Sequence, residues 1–149
     1  MNLQNIELRF FDSASADYEQ ELMLRQKILR TPLGLILDPE KLKLENHDFH
    51  LGAFHDQRLL GCLILSPDSN QILKMRQVAV DDTVQGMGIG KQMVLKSETF
   101  AREKNYIEIR LSARVTAIPF YETLGYTVYG DPFLEIGLPH RYMSKNLSP

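Results

Sequence analysis

The chain has 149 residues, enough for one domain with a substantial core, and its 44% apolar and 24% charged content is that of an ordinary folded protein. A net charge of -2 and the absence of any basic run point away from nucleic acid, and uncharged apolar stretches such as Leu33–Leu37 are far too short to cross a bilayer. Met1–Phe10 carries Glu7 and Arg9 where a signal peptide would be continuously apolar, so a cytoplasmic protein with no membrane partner is expected.

In chain order, Ile6–Phe11 alternates Ile6, Leu8, Phe10 and reads as a first strand. Asp12 and Ser13 suit the cap of a following helix, in which Tyr18, Leu22, Arg25 and Leu29 share a face until Pro32 and Gly34 stop it. Phe49–Phe54 and Leu59–Leu65 flank His55-Asp56-Gln57-Arg58, the pattern of a hairpin. Cys62, the only cysteine, sits in the second of these runs; no internal disulfide can form, and a small buried hydrophobe is expected. Pro67–Asn70 is a second turn and Ile72–Val80 a third consecutive strand.

After Val80 the pattern changes. Glycine-rich Gln85–Gly90 leads into a helix over Lys91–Lys104, with Val94, Leu95 and Phe100 on its apolar side. Ile107–Leu111 alternates as a strand, Ala117–Leu124 is a short helix closed by Gly125, and Tyr126–Tyr129 and Leu138–Met143 are the last strands. No repeat or linker breaks this order. It predicts a single α/β domain over 1–149 with a mixed sheet.

The segment Val78-Ala79-Val80-Asp81-Asp82-Thr83-Val84-Gln85-Gly86-Met87-Gly88-Ile89-Gly90-Lys91 carries the most chemistry. A strand ends, three glycines follow within five residues, and a helix begins. A helix start presents unpaired N–H groups and the positive end of the dipole, and glycines allow an anion close to the backbone. With Lys91 this reads as a phosphate or pyrophosphate cradle; the alternative is a plain glycine-rich helix entry. A Walker A loop needs four residues between its glycines and Ser or Thr after the lysine, whereas three separate Gly86 from Gly90 and Gln92 follows Lys91. A dinucleotide fingerprint needs Gly-x-Gly-x-x-Gly, whereas Gly86-x-Gly88-x-Gly90 stands here. Gln/Arg-x-x-Gly-x-Gly/Ala is met in full by Gln85–Gly90.

On these residues the chain resembles the GNAT superfamily of N-acetyltransferases. The loop is similar to the family's acetyl-CoA pyrophosphate motif, and Val78-Ala79-Val80 to the strand that pairs with the pantetheine arm. Ala117-Ile118-Pro119-Phe120-Tyr121-Glu122-Thr123-Leu124-Gly125-Tyr126 resembles its second signature, a short helix with Phe-Tyr followed by Leu-Gly-aromatic. The tail Phe133–Met143 and Arg30-Thr31-Pro32-Leu33-Gly34 resemble the ElaA-like branch of small bacterial members. The resemblance spans about Glu7–Lys145. It implies a GNAT-like, mostly antiparallel central sheet flanked by helices, and acetyl transfer from acetyl-CoA to a small-molecule or peptide amine by direct attack in a ternary complex. A homodimer is compatible with it. One departure stands out: Arg114 occupies the place where many members have Asn, so that contact is not transferred.

The implied cofactor-binding residues are Val78, Ala79, Val80, Gln85, Gly86, Met87, Gly88, Ile89, Gly90, Lys91 and Tyr121. The resemblance implies that the Val78 N–H meets the oxyanion beside a kink in its strand, while the main chain of Val78 and Val80 holds pantetheine. Tyr121 is the candidate acid for the leaving thiolate, since a phenol with a pKa near ~10 is protonated at neutral pH; the alternative is simple packing beside Phe120. His140 and Glu135 are alternative candidates for the base that deprotonates the amine. His47, Asp48 and His50 lack the ligand number of a metal site, so no metal is expected. The other functional reading is a GNAT-fold CoA-binding module without efficient turnover.

Overall fold

The computed structural model describes residues 5–148; Met1–Gln4, part of the segment weighed above against a signal peptide, lie outside the described residues. The strands are β1 (Glu7–Phe11), β2 (Phe49–His55), β3 (Arg58–Pro67), β4 (Ile72–Val80), β5 (Glu108–Arg114), β6 (Thr127–Glu135) and β7 (Leu138–Asn146). The α-helices are α1 (Ala16–Arg25), α2 (Pro39–Leu42), α3 (Ile89–Glu103) and α4 (Ile118–Thr123). The strand order is β1-β2-β3-β4-β5-β7-β6. β4 and β5 are parallel, while β1–β2, β2–β3, β5–β7 and β6–β7 are antiparallel. The chain thus has the mixed, mostly antiparallel α/β sheet expected from the sequence. Among the described residues no helix is long and apolar enough to cross a membrane.

Internal contacts divide the chain into two units. One comprises the described residues up to Ser66 with Gln77–Ser97; the other comprises Pro67–Arg76 with the described residues from Glu98 onward. In the first unit, Asp56 (φ 48°) and Gln57 (φ 68°) form the two-residue turn between β2 and β3, whose twist matches that of antiparallel strands. Leu24, Phe54, Leu59, Cys62 and Ala79 pack together with Phe11, Ile28 and Leu29 around them. Cys62 is the buried hydrophobe expected, and burial pushes its thiol well above the usual range.

Helix α1 follows Ser15, with Asp12 accepting from the Ala14 N–H at 2.9 Å, and continues as a π-helical turn over Gln26–Arg30. Its buried stripe corrects the expected face: Glu21, Leu24 and Arg25 are buried, while Leu22 is only partly so. The physical reason is a buried polar cluster. Arg25 Nη1 and Nη2 donate to the Glu45 carboxylate at 2.8 and 2.9 Å, and Nη1 also donates to Glu21 at 3.0 Å. His50 Nδ1 lies 2.9 Å from Glu21 Oε1, and the Tyr18 hydroxyl donates to Glu45 at 3.0 Å. Removing one partner from such a buried set typically costs about 3–5 kcal/mol, because the remaining charge is stranded.

In the second unit, Ile109, Leu111 and Ala113 form the buried side of β5, and Ile107 precedes the strand, 41% exposed. On α3, whose residues up to Ser97 belong to the first unit, the apolar side is carried by Met93 and Val94, and by Ala101 in the second; Leu95, expected there, is 43% exposed. The Tyr126 hydroxyl donates to Glu98 at 3.1 Å, and Lys145 Nζ donates to Glu98 at 2.9 Å and to the Leu124 carbonyl at 2.8 Å. β6 and β7 form a hairpin through Ile136 (φ 47°) and Gly137 (φ 76°), and both strands are longer than the sequence pattern indicates.

Candidate active site

The approach to the glycine loop begins with a kink. Gln77 has φ 56° inside β4, whereas the other non-glycine residues with positive φ lie in turns. That conformation costs an L-residue roughly 1–2 kcal/mol, so the surroundings must hold it. Arg30 Nη2 donates to Gln77 Oε1 at 3.3 Å. Gln77 immediately precedes Val78. Ala79 is buried, and Val78 and Val80 are partly buried.

Asp81 then turns the chain. Its N–H donates to the Leu60 carbonyl at 2.8 Å, and its Oδ1 accepts from the Thr83 N–H at 3.0 Å and the Thr83 hydroxyl at 2.7 Å. These Thr83 bonds, helped by Lys27 and opposed by burial, pull the Asp81 carboxyl down to about 2. Gln85 Nε2 donates back to the Val80 carbonyl at 3.0 Å. Gly86 and Gly88 follow with φ 79° and 88°, and a Cβ at either would meet nothing within 4 Å. Backbone conformation, not lack of room, therefore demands glycine here. The Gln92 N–H donates to the Gly88 carbonyl at 3.0 Å, which opens α3, and buried Ile89 anchors that start. The first turn holds no acidic residue, and Lys91 is exposed beside it. These residues fit an anion: positive-φ glycines on one side, the unpaired N–H groups of a 15-residue helix on the other, and a cation adjacent.

Tyr121 sits on α4, with its carbonyl accepting from the Leu124 and Tyr126 N–H groups at 3.0 and 3.1 Å. Its ring packs edge-on against Phe120 and Tyr126, with centroids 5.0 and 5.9 Å away, and the residue is 7% exposed. Burial alone pushes its phenol up to about 12. It is protonated at any physiological pH.

His140 and Glu135 come together on the β6–β7 hairpin. His140 Nε2 lies 3.4 Å from Glu135 Oε2, and Nδ1 lies 2.8 Å from the Leu138 carbonyl oxygen. Ser112 on β5 donates to Glu135 Oε1 at 3.2 Å. The imidazole is buried, while Glu135 remains half exposed. Sequence reading passed over Ser112; its alternation with buried Leu111 and Ala113 was the available signal that it occupies the opposite face.

A family model described as an acetyltransferase (GNAT) domain matches residues 15–147. The chain belongs to the GNAT acetyltransferase family. A UPF0039 protein of Synechocystis is 27% identical over 146 residues, covering 95% of this chain and 94% of that one. Among solved structures, Escherichia coli ElaA superposes with a TM-score of 0.80 at 17% identity, covering 94% of this chain and 99% of its own. A GNAT family acetyltransferase from Elizabethkingia anophelis with acetyl-CoA bound has a TM-score of 0.73 at 17% identity, covering 96% and 99%.

In this GNAT protein several sequence candidates take other roles. His50 has both ring nitrogens engaged, Nδ1 by Glu21 and Nε2 by the Glu45 carbonyl at 3.1 Å. Burial disfavours its imidazolium, but the hydrogen bond and charge of Glu21 outweigh this and hold its pKa above 6.5. Among the described residues no group of three or more His, Cys, Asp or Glu is arranged to hold a metal. Arg114 ends β5 and lies opposite His140 in the β5–β7 register.

Proposed function

We propose that this protein is an N-acetyltransferase that moves an acetyl group from acetyl-CoA to a small-molecule or peptide amine by direct attack. The observation that carries the reading is the loop geometry: positive-φ Gly86 and Gly88 between a kinked strand and an acid-free helix start. The bound acetyl-CoA of the Elizabethkingia relative supports the same ligand class. The family match draws on residues of both contact units, which supports one acetyltransferase domain over 1–149. A cytoplasmic setting accords with the sequence.

In this proposal Gln85–Gly90 supply main-chain N–H groups to the pyrophosphate, and Lys91 adds a positive charge. The main chain of Val78, Ala79 and Val80 holds the pantetheine arm, with the Val78 N–H donating to the carbonyl oxygen as it gains negative charge. The cosubstrate supplies an acetyl group activated as a thioester. The amine arrives as an ammonium and sheds two protons overall. One goes to a base on the β6–β7 hairpin, where His140 and Glu135 lie; the second balances the one that Tyr121 gives to the sulfur leaving group.

A screen of amine acceptors with free CoA as readout tests the proposal. Acceptor-dependent CoA release supports it. Saturable acetyl-CoA binding without release for any amine would instead favour a CoA-binding module.

A further inference from the structure

The two side chains that sequence reading offered as alternative bases touch, and their geometry fixes their relation. A carbonyl oxygen only accepts, so the 2.8 Å contact from His140 Nδ1 to Leu138 places the ring hydrogen on Nδ1. In the neutral imidazole Nε2 is then a bare lone pair. It faces Glu135 Oε2 at 3.4 Å, and an ionised carboxylate is also only an acceptor. Two acceptors facing each other repel, and the imidazole is only 3% exposed, so water screens them poorly. One proton on Nε2 replaces that repulsion with the attraction of an ion pair.

Three strands hold this arrangement. Phe133 pairs with His140 in register and its ring lies 5.9 Å from the imidazole, while Glu135 pairs with Leu138 at the hairpin end. Ser112 comes from β5, and its hydroxyl donates to Glu135 Oε1, while Oε2 lies 3.4 Å from Nε2. The other charged or titratable side chains on these strands' shared face are Arg114, opposite His140, Tyr142, opposite Ser112, Tyr129, opposite Tyr142 and stacked on it, and the Arg110–Glu108 ion pair.

We propose, resting on the acetyltransferase reading above, that His140 and Glu135 act as one proton-accepting pair and that Ser112 is its positioning residue. An N–H bond of the ammonium breaks and its electron pair stays on nitrogen as the nucleophilic lone pair. The proton reaches Nε2 by way of the half-exposed Glu135 carboxylate, which then balances the imidazolium. It passes to water before the next turnover.

Two measurements test the pair. The first needs no activity: nitrogen-15 NMR of His140 across pH in wild type, Glu135→Gln, Ser112→Ala and Ser112→Thr. Nδ1 is expected to stay protonated throughout, and Nε2 to lose its proton at lower pH in Glu135→Gln and Ser112→Ala, with Ser112→Thr near wild type. A bare Nδ1, or identical Nε2 titration in wild type and Glu135→Gln, would overturn the pair whether or not the protein proves to be an acetyltransferase. The second is a double-mutant cycle on kcat/KM with an acceptor found by the screen. His140→Ala and Glu135→Gln should each cost about 10²-fold, and the double variant no more than the worse single one. Losses that multiply would show two independent groups. Ser112→Ala should shift the acid limb of the rate profile to lower pH; a lower rate with an unmoved limb would remove Ser112 from the pair.

Discussion

At the scale of single residues, the proposed acid Tyr121 is a buried, packed aromatic side chain. Its ring is held between Phe120 and Tyr126, and its phenol is raised to about 12 by burial alone. Such a phenol keeps its proton at neutral pH and is available as a donor to a thiolate that forms beside it. Tyr121→Phe removes only the hydroxyl, so the fold should survive. We expect kcat to fall about 10²–10⁴-fold with acetyl-CoA affinity, measured separately by equilibrium binding, nearly unchanged. Wild-type turnover with chemistry rate-limiting would exclude the phenol as the required acid; a parallel fall in affinity would make it a cofactor contact. The helix that carries Tyr121 was legible in sequence because Phe-Tyr before Leu-Gly is a local pattern. The contact of Ser112 with Glu135 was not, because it joins residues 23 apart through strand register.

At the scale of elements, glycine conformation governs the loop. Gly88→Ala adds no clash, since a Cβ there meets nothing within 4 Å, but it imposes φ 88° on an L-residue. We expect a loss of about 1–2 kcal/mol in urea unfolding. Unchanged stability would mean that the loop relaxes to negative φ. β2, β3 and β4 could be read from sequence because alternation and turn residues agree on them. The apolar face of α3 was misread at Leu95, one residue from buried Val94, because periodicity alone does not set the edge of a stripe. β6 was read short: Gly130 and Pro132 interrupt its pattern, and the register shifts between Tyr129 and Phe133. The charged stripe Glu21–Arg25 was hidden because its partners, Glu45 and His50, lie 20 or more residues away.

At the scale of the whole molecule, that buried cluster couples stability to pH. The His50 pKa is raised above 6.5 by Glu21 despite burial. A raised histidine stabilises fully below its unfolded value and loses that contribution as pH rises through its folded value. Urea unfolding from pH 6 to pH 9 should therefore show wild-type stability declining above about 6.5 relative to His50→Gln. Parallel curves would show that His50 carries no proton into the folded state. The fold class and the order of motifs were legible because local pattern, turn chemistry and family signature agree along nearly the whole chain. The acceptor was not, because no local pattern in the sequence marks an acceptor pocket. The central claim is that the glycine loop at the start of α3 holds acetyl-CoA. Its most direct test is calorimetric titration of acetyl-CoA into wild type, Gly88→Ala and Gly88→Glu, each verified as folded. The account predicts saturable binding to wild type and a loss of at least about tenfold in Gly88→Glu beyond that in Gly88→Ala, because a carboxylate would then face the phosphates. Absence of binding to wild type, or equal affinity in all three, would contradict it.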